Sequence, residues 1–304
     1  MALDLTDHSS NSNDLTNTGV TEITSSLPFA ESTSAADFES TESDKMEATD
    51  HASLDITGDI TIEFWIKPES AIGFCGIIEK GYDTSAADRP INYFIDLGSD
   101  GLSPRFQYTN SNNFHVNELS GTNLSTGTWT HIAVSFTYGT GSSLVWYING
   151  STTNNTSSWT VGTGNVAGVG NASTLRIGYR STSGVDAGFF DGQLDEIRIF
   201  SDIRTAQEIA DNYNRELRDH AQDTALEAYW PFDAVVSPSA SLSPSPSRSP
   251  SASISPSSSV SPSSSLSPSS SASASLSPSA SLSPSSSASA SLSPSASLSP
   301  SASL

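Results

Sequence analysis

Hydrophobic and polar residues alternate in several short runs before the Ser/Pro-rich end of the chain. In the clearest run, DITIEFWIK, one face carries Ile60, Ile62, Phe64 and Ile66, and the other face carries polar residues such as Glu63. A period of two residues is typical of a β-strand with one face buried. We therefore expect the isoleucines and Phe64 to enter a hydrophobic core.

The same period recurs in INYFIDL, WTHIAVSFTY, LVWYI and LRI. The positions predicted to be buried in the last three runs are Ile132, Val134, Phe136, Tyr138, Leu144, Trp146, Ile148, Leu175 and Ile177. Asn149-Gly150 predicts a type I′ hairpin turn, because both residues tolerate a positive φ. Short strands separated by Gly, Asn, Asp and Ser, with almost no helical period, predict an all-β sandwich.

The segment from Phe190 to Leu217 predicts a strand, a sharp exit and a short helix. Strict alternation would place Asp195 on the same face as Ile197 and Ile199. Thr205 and Glu208 then stand at the spacing of a capping box, which predicts the start of the helix.

Five segments, taken together and in order, resemble laminin-G-like domains of the concanavalin A-like lectin and glucanase superfamily. They are SLDITGDITIEFWIKP, GTWTHIAVSF, LVWYING, LRIGY and FDGQLDEIRIF, and the resemblance covers residues 3–233. It implies a two-sheet antiparallel jelly-roll sandwich with one short helix on its C-terminal side. Most members of that group bind glycans or proteins, and some hydrolyse polysaccharides.

The segment LEAYWPFD, at 226–233, resembles the strand that usually opens such domains, although here it stands at the C-terminal side. We hypothesise that the strand from Tyr229 to Phe232 pairs within the same sandwich and closes it. The alternative is that AYWPFD begins another repeat.

A change in composition divides the chain into a sandwich domain, 1–236, and a Ser/Pro/Ala-rich tail, 237–304. The tail has almost no charge and few large apolar residues, so we expect it to be a disordered stalk or linker. Arg248 is its only charged residue, so nearly all of the net charge of −21 belongs to the sandwich. Such a charge disfavours nucleic acid and anionic membranes as partners.

The N-terminus has neither the charged region nor the apolar region of a secretory signal, and no run is apolar enough to span a membrane. We expect an extracellular or cell-surface protein, with a phage particle as the alternative. The single cysteine, Cys75, lies in an apolar run and is interpreted as a buried structural residue.

The sequence predicts no catalytic site. Asp59, Thr61 and Glu63 have the alternate spacing of glycosidase acids, but threonine replaces the middle acid. Residues four apart on a strand also lie roughly 13 Å from each other, whereas a retaining mechanism needs carboxyl groups about 5 Å apart.

Calcium is the predicted cofactor, with Asp195 as its leading ligand, because an acid on an apolar face needs a cation or hydrogen bonds. The resemblance implies that an acid of the closing strand is joined by groups from an early FDG-like segment. In this chain that segment is DFESTESD, which supplies Glu39 and Asp44 and has Ser40 where glycine is usual.

Aromatic residues in polar surroundings are the candidates for stacking on sugar rings, namely Tyr82, Tyr108 and Trp159. The first hypothesis is a non-enzymatic recognition module that binds carbohydrate or a surface protein. The alternatives are a structural spacer or decoration domain without a ligand and a degenerate glycoside hydrolase.

Overall fold

The computed structural model describes residues 2–81, 91–110, 113–120, 124–152, 156–182, 184–217 and 220–233. The tail predicted from residue 237 onward, and Tyr82, lie outside the described residues. The strands are β1 Leu15–Thr18, β2 Thr21–Ile23, β3 Ala35–Phe38, β4 Lys45–Ala48, β5 Asp59–Pro68, β6 Gly76–Gly81, β7 Ile91–Leu97, β8 Pro104–Asn110, β9 Asn113–Ser120, β10 Thr130–Thr137, β11 Val145–Ile148, β12 Thr156–Val161, β13 Leu175–Ile177, β14 Arg180–Thr182, β15 Val185–Ala187, β16 Gly192–Phe200 and β17 Leu226–Trp230. One α-helix, α1, spans Ala206–Asn212, and single turns of 3-10 helix span Ala52–Leu54, Gly141–Ser143 and His220–Gln222.

Most of these strands form two antiparallel sheets, which confirms the predicted all-β sandwich. The eight-stranded sheet has the order β1-β4-β13-β6-β7-β8-β9-β12. The seven-stranded sheet has the order β11-β10-β5-β16-β3-β2, and β17 pairs with β16 beside this path. A separate hairpin, β14–β15, is held against the first sheet, because the Ser181 amide donates to Glu79 at 2.8 Å.

The core lies between the two sheets and consists of the alternate apolar residues of both. Ile60, Ile62, Phe64 and Ile66 of β5 are all buried there, as the sequence predicts. The other sheet contributes residues such as Tyr93, Ile95, Leu97, Phe106, Leu175 and Ile177. The turn at Asn149-Gly150 has φ values of 48° and 72°, which confirms the two positive angles predicted for it.

The prediction that Asp195 shares a face with Ile197 and Ile199 is wrong, because β16 contains a bulge. Asp195 pairs with Trp65 of β5, whereas Arg198 pairs with Glu63, so two residues of β16 oppose one residue of β5. Glu196 takes a positive φ of 53° at this point. The extra residue turns Asp195 to the outer face of the sheet and leaves the isoleucines in the core.

Strand β17 closes the sandwich, which confirms the hypothesis for the C-terminal strand. It pairs antiparallel with β16, and Trp230 lies opposite Ile197. The N-terminal segment packs against it, since the Asn13 side chain donates to the Glu227 carbonyl at 2.8 Å and Asp4 pairs with Phe232. Trp230 is fully buried, and its indole donates to the Asn13 carbonyl at 3.0 Å.

Helix α1 covers part of the outer face of the seven-stranded sheet. It begins with the predicted capping box of Thr205 and Glu208. Ile209 packs against Ala133 and Tyr147. Among the residues the structure describes, no helix is long and apolar enough to cross a membrane.

Candidate functional site

A shallow groove lies at the β12 edge of the eight-stranded sheet, between the start of β9 and the turn that follows β12. Its volume is about 490 Å³. The residues that line it are Asn113, Phe114, His115, Val161, Gly162, Thr163 and Val166. We call this surface the edge groove. Val161 is 49% exposed, so the groove presents apolar surface to solvent beside several polar groups.

His115 is fixed at the base of the edge groove by the backbone of the turn. Its Nδ1 accepts the amides of Thr163 and Gly164, both at 3.3 Å. The turn approaches this closely because Gly162, at φ 66°, has no side chain, and a Cβ there would lie 2.3 Å from Nδ1.

The two amide donors also define the charge and tautomer of His115. Because Nδ1 accepts, the neutral imidazole carries its proton on Nε2. Burial lowers the pKa of His115, which favours this neutral form. No described residue accepts from Nε2, so its N–H remains able to donate to a ligand.

An aromatic layer supports the groove from beneath. The Tyr108 ring stacks on His115 with a centroid distance of 4.8 Å, and Trp159 meets Tyr108 edge-on at 6.2 Å. The Tyr108 hydroxyl donates to the Val166 carbonyl at 3.0 Å. The Trp159 indole donates to the Gly141 carbonyl at 2.9 Å. These bonds hold both walls of the groove in place.

The predicted role of Tyr108 is therefore wrong, whereas that of Trp159 stays a prediction. Tyr108 lies in β8 rather than in a loop and is fully buried, so its face cannot stack on a sugar. Trp159 lies on the edge strand β12, is partly buried and packs against the core. The structure brings the two residues together, but as support for the groove.

Phe114 also lies in a polar stretch and is a further aromatic candidate from the sequence, whereas sequence reasoning missed His115 and Val161; all three line the edge groove. The run NFHVNELS alternates between faces, so it could have been identified as a strand. Its contact with the turn after β12 arises only from the pairing of β9 with β12. No pattern of neighbouring residues predicts that contact.

Glu63, the acid considered for a hydrolase, lies beneath α1. It is 3% exposed and pairs with the Arg198 guanidinium at 2.9 Å. Burial alone would raise the pKa of Glu63, but Arg198 and His131 outweigh it and hold that pKa at about 2. A carboxyl group that is always ionised and shielded from solvent cannot protonate a glycosidic oxygen.

The three predicted calcium ligands do not meet. Gly192 and Leu194 pair with Phe38 and Ala36, so Asp195 lies at the opposite end of β3 from Glu39, about 13 Å away along the strand. Asp44 accepts the Glu39 amide at 3.0 Å, and these two residues stay together. The described residues contain no group of three or more acidic, His or Cys side chains placed to hold one ion. The trio does not fit one calcium site.

Asp195 does not share the apolar face of Ile197 and Ile199, but it is still a buried acid. It is fully buried, and its carboxylate accepts the Ser32 hydroxyl at 2.8 Å and the Glu196 amide at 2.9 Å. Burial, followed by the negative charge of Glu196, raises the pKa of Asp195 well above its usual range. Asp233 adds to this repulsion.

Cys75 is 1% exposed, and burial raises the pKa of its thiol to about 12, in agreement with a structural role.

Solved structures of related fold include a putative carbohydrate binding protein from Bacteroides ovatus. It is 16% identical with a TM-score of 0.51, and the match covers 68% of this chain and 53% of that one. A second is the binding domain of Paraclostridial Mosquitocidal Protein 1, at 16% identity and a TM-score of 0.50, covering 67% of this chain and 48% of that one. The chain thus spans about half the length of either structure.

A third is domain 4 of AbnA, a GH43 extracellular arabinanase from Geobacillus stearothermophilus, in complex with arabinotriose. It is 20% identical with a TM-score of 0.46, covering 66% of this chain and 88% of that one. At 16% identity the first two matches show the fold alone. No match was found among the curated proteins.

The Laminin_G_3 family, described as the concanavalin A-like lectin/glucanases superfamily, matches residues 40–210. This match ends within α1 and covers more than half of the chain. The chain therefore belongs to this family.

Proposed function

We propose that the protein is a non-enzymatic recognition module that binds carbohydrate in the edge groove. The observation that carries this proposal is the groove itself, where apolar surface and directed polar groups lie side by side. Sugar rings present apolar C–H faces flanked by hydroxyl groups, so they need both kinds of contact at once.

The lining residues meet these needs in different ways. Phe114 and Val161 supply apolar contact. The Nε2–H of His115 donates to a sugar hydroxyl, and Asn113 and Thr163 add an amide and a hydroxyl at the rim. Because Tyr108 and Trp159 hold the groove from beneath, the site is formed before a ligand arrives, which reduces the entropy lost on binding.

Two comparisons support a carbohydrate as the ligand class. The superfamily includes lectins, and the Bacteroides ovatus structure of similar fold is described as a putative carbohydrate binding protein. The superfamily also includes glucanases, but our proposal assigns no catalysis to this chain, because Glu63 is ionised and covered by α1. We place the protein at a cell surface or outside the cell.

Calcium is retained in the proposal only as a stabilising ion at Asp195, without Glu39 and Asp44. The buried carboxylate and the nearby charge of Asp233 are what support it. An ion there would offset this repulsion between carboxylates.

A glycan array probed with the full chain tests the function. We expect binding to at least one glycan class by the wild type and its loss in Val161→Asp, which places a charge in the groove. Ile203→Asp is the matched control, because Ile203 is 38% exposed and lies outside the groove. A blank array for the wild type would contradict carbohydrate recognition and favour a spacer or a protein ligand. Equal binding by both variants would place the site elsewhere.

A further inference from the structure

The outer face of the eight-stranded sheet carries several of the chain's few cations. The chain has 33 acidic and 12 basic residues, so each cation has an excess of carboxylates with which to pair. On this face Arg105 pairs with both oxygens of Asp96, Arg176 lies 3.7 Å from Glu79, and Lys45 lies 2.6 Å from Asp186.

Arg180 breaks this pattern. In the described part of the chain, its guanidinium has no hydrogen-bond or ion-pair partner, although its Nε is buried. The charges of Arg180 and Asp96 are close enough to interact, but the Arg105 guanidinium already donates to both carboxylate oxygens of Asp96. Nε is covered by Gly188, so a ligand would meet the two terminal nitrogens, which are not among the buried unpaired atoms. Together these two nitrogens form a two-pronged donor that matches a carboxylate.

An exposed aromatic ring lies beside this unpaired cation. Phe74 is 40% exposed and has a φ of 61°, an uncommon angle for a bulky residue. The Arg105 guanidinium lies 5.0 Å from its ring centroid. Phe74 and Arg180 both lie against Gly188. A Cβ at Gly188 would be 2.7 Å from the Phe74 carbonyl oxygen and 2.8 Å from Arg180 Nε.

The backbone pairing explains how these residues converge. The main chain at Arg180 lies against Gly76, where a Cβ would be 2.8 Å from the Arg180 nitrogen. Gly76 pairs with Asp96, and Asp96 pairs with Arg105. The side chains of Arg180, Asp96 and Arg105 therefore form a row across neighbouring strands, with Phe74 at its side. We call this row together with Phe74 the arginine patch.

We propose that the arginine patch binds the carboxylate of an acidic sugar, such as a uronic acid, through Arg180, while Phe74 packs against the sugar ring. The inference rests on carbohydrate recognition as the proposed function, but it concerns a surface distinct from the edge groove. A carboxylate satisfies the unpaired guanidinium, and the ring contact distinguishes a sugar from a simple anion.

Isothermal titration of the full chain with oligogalacturonate, its neutral methyl ester and a sulfated oligosaccharide tests this proposal. We expect the free acid to bind at least about tenfold more tightly than the ester, and Arg180→Gln to remove about the same factor. Arg215→Gln is the matched control, because Arg215 is exposed and lies beyond α1, so the net charge changes equally. Phe74→Ala should weaken the binding of the acid, because it removes the contact with the sugar ring.

Several outcomes would overturn the proposal. One is an equal affinity for the acid and its ester. Another is an equal loss of affinity for the acid in Arg180→Gln and Arg215→Gln. Tighter binding of the sulfated sugar would overturn the choice of a carboxylate. Neutral glycans give a separate readout: if they bind and Val161→Asp abolishes that binding, carbohydrate recognition stands whatever the arginine patch does. A melt of Arg180→Gln that matches the wild type excludes unfolding as the cause of any loss.

Discussion

At the scale of single residues, the edge groove depends on the protonation state of His115. Its Nδ1 can accept the amides of Thr163 and Gly164 only while the imidazole is neutral. Burial lowers the pKa of His115, so the neutral form persists below the ordinary histidine pKa of about 6.5. The turn that forms one wall of the groove is therefore held in place at neutral pH.

We expect glycan affinity to fall as the pH drops from 7.5 to 5, because imidazolium formation breaks both amide contacts. Folding stability should change in the same direction as affinity. The stabilisation from neutral His115 is fully present above the pKa of the unfolded state, and it is lost as the pH falls through the lower pKa of the folded state. Measuring the affinity for a glycan found on the array at several pH values in this range tests the prediction. His115→Gln should flatten the profile, because an amide oxygen accepts without titrating, whereas His51→Gln, at an exposed site, should not. An affinity that rises toward acid pH in the wild type would refute this explanation.

Asp195 gives a second prediction at this scale. We expect calcium to raise the midpoint of thermal unfolding relative to EDTA in the wild type, because an ion that binds only the folded state stabilises it. Asp195→Asn should remove the difference, while Asp211→Asn, at an exposed residue of α1, should keep it. Superimposable melts of the wild type in calcium and in EDTA would show that Asp195 is an ordinary buried acid.

At the scale of elements, β16 and β17 show how far local patterns can be trusted. The alternation predicted from Ile197 to Phe200 is confirmed, but the bulge between Asp195 and Arg198 reverses the face of Asp195. A bulge depends on how the strand pairs with its neighbours. The only glycine of β16 is its first residue, Gly192, and no glycine or proline lies between Asp195 and Arg198 to indicate the bulge.

The closing role of β17 leads to a test of stability. Trp230→Ala removes a fully buried indole and its bond to the Asn13 carbonyl. We expect a loss of about 3 kcal/mol or more, which corresponds to a fall of about 6 °C or more in the melting midpoint. Trp129→Ala, at a partly exposed tryptophan, should cost clearly less. If the two variants melt together, β17 does not close the domain.

At the scale of the whole molecule, the sequence was enough to predict the sandwich but not the site. The core positions of β5 and β10, the Asn149-Gly150 turn and the capping box were all predicted, because each depends on neighbours along the chain. Tyr108 was misplaced because its polar surroundings in the sequence suggested a loop, whereas pairing with β7 and β9 buries it. The edge groove joins β9 to a turn far along the chain, and such a contact is settled by topology.

Amide chemical-shift mapping of the full chain with a glycan found on the array tests whether carbohydrate binds in the edge groove. We expect the largest shifts at residues 113–115 and 161–166, with little change around α1. Shifts centred on α1, or none at a glycan concentration that saturates the protein, would contradict binding in the edge groove.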